Sequence, residues 1–249
     1  MDESQRSLFD RWRELREGFS PLYSEPLLAA ALGHLEPVLG KGRTALDLGC
    51  GAGHVARVLA STGARAVALD VREAALRDGL NRYPGPARVA ADQARIPLRT
   101  GSIDALFSFS SLQYSDHATV LAECARVLRP GGRFAIVENL AGNPFARLAR
   151  WRQAASATPF PPHFEPRHHL EWRERALYER PFRDVRFEVF HVLTPMLLAN
   201  ASLCSAPVSG SGERGWRALY AGLHRIDRFL LRWPGARAAA WNLVAMGSR

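Results

Sequence analysis

Three carboxylates stand where buried strands are predicted, and the first is followed by a run of glycines. Asp47 lies inside the apolar segment 44–48, just before Gly49, Gly51 and Gly53. Glycines at alternate positions let the backbone turn sharply and approach a ligand more closely than a Cβ atom would permit. The pattern therefore predicts a ligand-binding loop between a strand and a helix that begins near residue 54.

The other two carboxylates follow the next two predicted strands. Asp70 comes 17 residues after Gly53 and closes strand 66–69, and Asp92 follows strand 87–90. Ligands of open α/β sheets bind beyond the carboxyl ends of the strands. We therefore expect the three acids and the glycine loop to surround one site.

The pattern around these residues predicts the elements that position them. Apolar residues at helical spacing predict helices over 4–19 and about 26–39, with a break at Ser20-Pro21. Strand and helix patterns then alternate to residue 138, which is typical of a parallel sheet covered by helices on both faces. The predicted elements are strands 44–48, 66–69, 87–90, 103–109 and 133–138, helices 54–62, 73–81 and 117–128, and a β-turn at Pro130-Gly131-Gly132.

The alternation of strand and helix patterns ends after Glu138. Four prolines between residues 159 and 166 predict that 141–180 is irregular, more cap or loop than helix. Two closing strands are expected at 183–193 and 240–247, with a helix over 214–233. We interpret residues 1–249 as one domain made of N-terminal helices (1–40), a cofactor-binding core (41–140), cap segments (141–180 and 195–235) and the two closing strands.

The D-x-G-x-G-x-G run at 47–53 resembles motif I of the class I S-adenosylmethionine (SAM)-dependent methyltransferases. It resembles less well the dinucleotide fingerprint G-x-G-x-x-G, whose third glycine falls one place later. Asp70 suits either family, but the segments 91–97, 102–114 and 126–132 match further methyltransferase landmarks in order. The resemblance implies an α/β fold: a Rossmann-like, seven-stranded, mostly parallel sheet, with a helical or irregular cap inserted after strand five.

The resemblance also implies SAM as the cofactor and roles for two groups of residues. The Asp70 carboxylate is expected to accept hydrogen bonds from the ribose hydroxyls, beside Val71. Asp92 and the backbone of Gln93 are expected at the adenine. Asp70 and Asp92 could equally form turns at the strand ends.

The methionine end of SAM is expected to meet the glycine loop and a further group of residues. The glycines of the loop are Gly49, Gly51 and Gly53. Asp47 is expected to orient the loop and the amine, and the Ser110 backbone to contact the methionine portion. Tyr23 resembles tyrosines that cover the cofactor. Asp47 could instead cap a helix, and Tyr23 could be a buried aromatic.

Methyl transfer to a hydroxyl is helped by a general base, usually a histidine. His117, at the start of a helix, and His168, in the cap, are the candidates, although both positions also suit a surface residue. Glu165, His168 and Glu171 have no recognised ligand spacing, so we predict no metal site.

Charge and composition limit the partners. The net charge of +9 comes from scattered arginines, with Lys41 the only lysine, which favours a solvated basic face over a nucleic-acid substrate. No apolar run is long enough to span a membrane. Helix 223–233 leaves peripheral membrane contact open. The three unpaired cysteines and the charged N-terminus predict a cytoplasmic protein, as monomer or homodimer, with Cys50 and Cys124 buried.

The expected function is SAM-dependent methylation of a small organic acceptor in a biosynthetic pathway, with oxygen favoured as the acceptor atom. An RNA or protein methyltransferase and a non-catalytic SAM-binding partner protein are the alternatives. Ser110-Ser111-Leu112-Gln113 stands where an Asn-Pro-Pro-Tyr-type motif would favour nucleobase or glutamine N-methylation.

Overall fold

A computed structural model describes residues 7–15, 21–154, 168–198 and 211–249. Its centre is a seven-stranded sheet of order β3-β2-β1-β4-β5-β7-β6. The pairings are parallel except at β7, which runs antiparallel to β5 and β6. The predicted fold class is thereby confirmed. The strands are β1 (Thr44–Leu48), β2 (Arg65–Asp70), β3 (Ala87–Ala90), β4 (Ile103–Phe109), β5 (Leu128–Asn139), β6 (Arg183–Phe190) and β7 (Asn242–Ser248).

Helices precede, link and follow these strands. They are α1 (Leu8–Leu15), α2 (Pro21–Leu35), α3 (His54–Ala60), α4 (Glu73–Arg82), α5 (His117–Val127), α6 (Pro144–Ala154), α7 (Ala176–Glu179), α8 (Pro195–Leu198), α9 (Ser211–Leu230) and α10 (Pro234–Arg237). Short 3₁₀ turns lie at Glu36–Val38, Leu112–Tyr114 and Trp172–Arg175. Among these described helices, none is long and apolar enough to cross a bilayer.

The sheet is covered on both faces because successive strand residues point to opposite sides. On β4, Phe107 joins the apolar cluster that contains Leu32 of α2. Its neighbour Leu106 joins the cluster on the other face, with Leu121 of α5. Burial of each such side chain stabilises the fold by about 1.5–3 kcal/mol. The two cores hold the sheet rigid and leave the carboxyl ends of the strands to form the site.

Helix α2 begins earlier than the sequence predicts. It starts at Pro21 and contains Pro26, so the predicted start near residue 26 is wrong. Ser20 lies outside the described residues. Proline at the first helical position loses no internal hydrogen bond. Pro26 lacks the N–H that would bond to the carbonyl of Leu22. Burial of one helix face, at Leu27, Leu28, Ala31, Leu32 and Leu35, compensates for that loss.

Strand β5 also begins earlier than predicted. The expected β-turn at Pro130-Gly131-Gly132 is wrong, because β5 is continuous from Leu128 with an irregular register against β4. Gly131, at a φ of 75°, donates its N–H to the Arg249 carbonyl at 2.9 Å, and Arg249 donates to Gly132 at 3.0 Å. The C-terminus therefore pairs with the segment that the sequence assigns to a turn.

The predicted irregular stretch 141–180 contains a helix, α6, over Pro144–Ala154. Asn143 caps it by accepting the Ala146 N–H at 2.8 Å, and Pro144 occupies the first helical position. The four prolines that suggested irregularity all lie beyond this helix, at 155–167, outside the described residues.

Candidate functional site

A cavity of about 980 Å³ opens at the carboxyl ends of β1, β2 and β4. Its described lining includes most of the residues that the sequence singles out: Tyr23, Asp47, Gly49, Gly51, Asp70, Val71, Asp92, Gln93 and Ser110. Gly53 is not among the lining residues; it adopts a φ of 91° at the N-cap of α3. The structure thus brings nine of the ten predicted cofactor residues to one cavity.

The glycine loop passes very close to the loop after β4. At Gly49, whose φ is 70°, an added Cβ atom would lie 2.0 Å from Ser111 Oγ. Gly51, in contrast, has an open side, because its Cβ atom would meet nothing nearer than Arg72 Nη2 at 3.8 Å. Gly49 therefore permits the close approach of two loops, and Gly51 leaves backbone accessible to a ligand.

Asp47 is almost fully buried beneath this loop. Its Oδ2 atom accepts the N–H of Ala56, in the first turn of α3, at 2.8 Å. Burial, with a smaller contribution from the nearby Asp70 charge, raises the pKa of Asp47 to about 7 against the effect of that hydrogen bond. Both predicted roles are compatible: Asp47 caps α3 and also faces the cavity, where a cation would stabilise its ionised form.

Asp70 is held by backbone donors on both sides. Its Oδ2 atom accepts the Gly51 N–H at 2.8 Å, and its Oδ1 atom accepts the Arg72 N–H at 2.9 Å. The Arg72 side chain adds a contact from Nε at 3.4 Å. A carboxylate offers about four lone-pair sites, so acceptor capacity remains on the side that faces the cavity.

The two positions predicted at an adenine ring differ in how they are held. Asp92 is exposed, and its carboxylate accepts the Ala94 N–H at 2.9 Å. Gln93 is buried, and its amide donates to the Ser111 carbonyl at 2.8 Å and to Ser115 Oγ at 2.9 Å. Gln93 therefore joins the loop after β3 to the loop after β4, and it is also among the residues that line the cavity. Val71 lies nearby with 69% of its surface exposed.

Ser110 is one of three described non-glycine residues with a positive φ, here 49°. Its N–H donates to Val137 at 2.7 Å, and its carbonyl accepts from the Gln113 amide at 2.9 Å. Sparsely populated backbone conformations of this kind cluster at binding sites, where the surrounding structure enforces them.

A side-chain network supports the opposite side of the cavity. Tyr23 is buried against the rings of His191 and Trp241, with centroid separations of 4.7 and 4.8 Å. The Asn242 amide donates to the Tyr23 hydroxyl and to Asn139 Oδ1. Burial raises the pKa of Tyr23, so its phenol is neutral. Both interpretations of Tyr23 hold, because it is a buried aromatic and it also lines the cavity.

His191 continues this network to α9. Its ring nitrogens lie 2.9 Å from Asn242 Oδ1 and 3.2 Å from the Tyr220 hydroxyl. Burial lowers the pKa of His191 to about 4, so the ring is neutral at physiological pH. A proton on Nδ1 satisfies both neighbours.

Glu138, at the end of β5, is a structural residue that the sequence argument missed. It is fully buried, and its Oε1 atom accepts the Ser111 N–H at 3.0 Å and the Leu112 N–H at 2.8 Å. Burial raises the pKa of Glu138 to about 7. Its Oε2 atom has no hydrogen-bond partner within the described part of the chain. The sequence offered one signal for this role of Glu138, namely an acid at the end of an otherwise apolar strand.

The two histidines proposed as general bases lie together, away from the cavity. Neither His117 nor His168 is among its lining residues, because the turn at Leu112–Tyr114 leads the chain away before α5 begins. Their ring centroids are 5.3 Å apart, and His168 Nε2 lies 2.9 Å from Glu174. Geometry therefore gives no support to a general base at either position. Glu165, for which the sequence predicts no metal-binding role beside His168 and Glu171, lies outside the described residues.

The described parts of the two cap segments pack elsewhere in the fold. No described residue of 141–180 or 195–235 lines the cavity. Leu170 and Tyr178 instead join the core cluster that contains Leu121 and Cys124 of α5. The side of the cavity opposite the glycine loop is formed by α2, by Asn139 at the end of β5 and by Trp241 just before β7.

Comparisons with known proteins identify similarities over the core. Residues 46–136 match the family model described as "Methyltransferase domain". A probable S-adenosylmethionine-dependent methyltransferase of Mycolicibacterium smegmatis is 36% identical over 96 residues, 38% of this chain and 37% of that protein. A ubiquinone/menaquinone biosynthesis C-methyltransferase of Acidiphilium cryptum is 38% identical over 125 residues, 47% of this chain and 46% of that protein. The chain thus spans less than half the length of these curated relatives.

Similarity to solved structures extends over more of the chain. A putative sarcosine dimethylglycine methyltransferase from Galdieria sulphuraria aligns with a TM-score of 0.59 and 18% identity, covering 99% of this chain and 98% of that one. Geranyl diphosphate methyltransferase in complex with SAM aligns with a TM-score of 0.55 and 20% identity, covering 91% and 84%. At these identities, the likeness shows a shared fold.

Proposed function

We propose that the protein is a class I SAM-dependent methyltransferase, whose core matches the methyltransferase family model, and that it transfers the methyl group of SAM to a small organic acceptor. The observation that carries this proposal is the cavity, which gathers Asp47, Asp70 and Asp92 at the carboxyl ends of neighbouring strands. The matched family model spans the same strands, β1 to β5.

The lining of the cavity fits the chemistry of SAM from one end to the other. Asp70 has acceptor capacity for ribose hydroxyls, and Asp92 for an exocyclic amine. The exposed Val71 side chain offers an apolar surface to a ring. Buried Asp47 favours a cationic partner, because a positive charge would restore its ionised form. The open side of Gly51 leaves room for the ligand between these acids.

When bound, SAM would supply a methyl group on a positively charged sulfonium. In the in-line displacement the acceptor oxygen would bond to the methyl carbon as the carbon–sulfur bond breaks, so that neutral S-adenosylhomocysteine leaves and the hydroxyl proton passes to solvent. The chain has to hold the acceptor atom about 3–3.5 Å from that carbon and to exclude water. The wall formed by Tyr23, Phe109 and Trp241 is suited to excluding water. The amide side chains of Gln113 and Asn139 lie at the same end of the cavity and can hydrogen-bond a polar group of the acceptor.

The size and lining of the cavity support a small acceptor. Its volume of about 980 Å³ lies at the upper end of the range for small-molecule sites, roughly 300–1,000 Å³, which leaves space for a second molecule beside the cofactor. We propose oxygen as the acceptor atom, because amide and hydroxyl side chains at this end would orient a hydroxyl. Relatives include both a C-methyltransferase and a malonyl-[acyl-carrier protein] O-methyltransferase of Methylococcus capsulatus.

The proposed partner is therefore a small molecule, and the proposed compartment is the reducing cytoplasm. Cys50 and Cys124 are free thiols. Cys124 is buried as predicted, whereas Cys50 is only half-buried, because it lies in the glycine loop beside the cavity. Cys204 lies outside the described residues. Monomer and homodimer both remain compatible with the proposal.

A transfer assay tests this function. Purified protein and SAM with a labelled methyl group are incubated with a metabolite extract, and in parallel with RNA and with protein fractions. We expect label in small molecules, abolished by Asp70→Ala and retained by Asp78→Ala, an exposed acid on α4. Label confined to RNA or protein would contradict the proposed acceptor class. SAM binding without transfer to any fraction would instead favour a non-catalytic SAM-binding partner protein.

A further inference from the structure

A cluster of metal-ligating side chains lies outside the cavity. Ligand atoms of His117, His168 and Glu174 all fall within 4.8 Å of one another. His168 Nε2 already lies 3.0 and 2.9 Å from the two Glu174 oxygens. We propose that these three side chains bind a divalent transition-metal ion of the Zn²⁺ type. This site stands independently of methyl transfer.

Two segments of the chain, the start of α5 and residues 168–175, converge on this cluster, and each is fixed by its own backbone contacts. His117 opens α5, whose N-terminus is capped by Asp116 through the Thr119 N–H at 2.8 Å. The His168 N–H donates to the carbonyl of Gln113 at 3.0 Å. Glu174 is held in the 3₁₀ turn at Trp172–Arg175. The positions of the three side chains therefore follow from the fold and do not depend on one flexible loop.

Glu174 has a second, local role that orients its carboxylate. Its Oε2 atom accepts the N–H of Glu171 at 2.7 Å, which completes a capping box on the 3₁₀ turn. An anchored carboxylate is pre-oriented for a metal, as is common for ligands that are themselves hydrogen-bonded.

The His117 ring provides the second observation that points to a ligand. Only 4% of His117 is exposed, and its Nε2 atom has no hydrogen-bond partner among the described residues. Buried polar atoms are normally paired, so an exception needs an explanation such as an ion. A metal ion would accept the lone pair of a neutral imidazole at this position.

The donor set selects the class of ion. Two imidazoles and one carboxylate match zinc sites that keep a fourth position for water, whereas Mg²⁺ and Ca²⁺ prefer oxygen donors throughout. Metal–ligand bonds of about 2.0–2.1 Å place the ligand atoms of a tetrahedral site about 3.4 Å apart. The ligand atoms of the three side chains lie within 4.8 Å of one another, so they would have to approach by little more than about 1 Å to bind one ion. Such a shift is within the reach of a side-chain rotation.

The location gives the proposed ion a structural consequence. Through His168 it would tie the segment 168–179 to the start of α5. Gln113 accepts the His168 N–H and, together with Ser115, lines the cavity. Metal binding would therefore stabilise one side of the cavity from outside, without a ligand inside it.

Metal titration of the full chain tests the site. After treatment with a chelator, the protein is titrated with Zn²⁺ by calorimetry and with Co²⁺ by visible absorption. We expect one equivalent of either metal, with Co²⁺ bands of the intensity given by tetrahedral sites, and no comparable binding of Mg²⁺. Bound metal should also raise the Tm of the protein.

Ligand variants make the assignment specific. His117→Asn, His168→Ala and Glu174→Gln should each weaken Zn²⁺ binding by more than about tenfold, since even supporting residues contribute that much. His169→Ala, the chain neighbour of His168, is the matched control and should bind normally. Circular dichroism checks folding; because His168 is exposed, its variant remains informative if the buried His117 variant unfolds. Equal affinity in folded His168→Ala and wild-type protein, or no binding of either metal by the wild type, would overturn the proposal.

Discussion

The two sides of the cavity are held by different kinds of contact. On the side of the glycine loop, backbone N–H groups fix the carboxylates: Ala56 on Asp47, and Gly51 and Arg72 on Asp70. On the side of Tyr23, side chains hold one another. Backbone donors stay in place when side chains are substituted, so the main chain fixes the geometry of the glycine-loop side. The geometry of the Tyr23 side depends on its side chains and can therefore be adapted to different acceptors.

Charge separates the two sides as well. The glycine-loop side contains acids whose neighbours are backbone dipoles, which suits a positively charged ligand. The Tyr23 side contains neutral aromatic and amide groups, including a His191 ring kept neutral by burial. The glycine-loop side therefore suits the proposed cofactor, and the Tyr23 side suits an uncharged region of the proposed acceptor.

The largest expected effect concerns the close packing on the glycine-loop side. Gly49→Val places a Cβ atom 2.0 Å from Ser111 Oγ, at a φ of 70° that β-branched residues avoid. Overpacking and backbone strain together should cost roughly 3 kcal/mol or more. Urea denaturation measures the free energy of unfolding. The control, Gly33→Ala in α2, has open space around its Cβ atom and should stabilise by about 0.5–1 kcal/mol. Equal stability of both variants would contradict the packing described.

The next effect concerns the pH dependence of stability. Burial raises the folded-state pKa of Glu138 from its ordinary value of 4.5 to about 7. The native state therefore binds more protons than the unfolded chain in this window, and stability falls as pH rises from about 4.5 through 7, by roughly 3 kcal/mol in total. Glu138→Gln should remove this part of the decline.

Denaturation curves at several pH values check this effect. Asp47, whose pKa is also raised to about 7, should leave a residual decline in the Glu138→Gln protein. The control Glu188→Gln, an exposed acid on β6, should follow the wild-type curve. A Glu138→Gln curve that is superimposable on wild type would show that Glu138 ionises normally.

A smaller effect concerns the Tyr23 side. Tyr23→Phe removes the oxygen that accepts from the Asn242 amide and should cost about 1 kcal/mol of unfolding free energy. A double-mutant cycle with Asn242→Ala isolates this pair and should give a coupling energy of about 1 kcal/mol. Additive effects of the two substitutions would mean that the hydroxyl is not coupled to the network.

The smallest effect concerns the exposed apolar face of α9. Ile226 and Phe229 are about half exposed, with Arg225 and Arg228 beside them in the chain. We expect sedimentation with anionic phosphatidylglycerol vesicles, but not with phosphatidylcholine vesicles, and a few-fold loss in Phe229→Ser. Leu80→Ser, at an exposed apolar residue of α4, is the control. Equal binding by both variants would exclude this face as the contact.

The glycine-loop side was predictable because its residues are local to strand ends. A carboxylate at the end of a parallel strand has its position set by the sheet, so Asp70 and Asp92 could be placed from the alternating pattern alone. The turn glycines followed for the same reason, since positive φ angles are needed where β1 gives way to α3.

The parts of the structure that the sequence did not predict depend on contacts between segments far apart in the chain. Asn242 meets Tyr23 across 219 positions, and His117 meets His168 across 51, so no spacing rule could reveal either pair. The same limit applies to the cap segment 141–180. Its aromatic residues indicated burial, but their periodicity does not state which surface they cover, and Tyr178 packs into the core beside α5.

Binding of SAM to the cavity is the central claim, and calorimetry on the full chain tests it most directly. Asp70→Ala is compared with Asp78→Ala, which removes an acid of the same type from the exposed surface of α4. Loss of charge-assisted hydrogen bonds should weaken SAM binding more than about tenfold in the first variant only. Wild-type affinity in a folded Asp70→Ala protein, or no SAM binding by the wild type, would contradict the account.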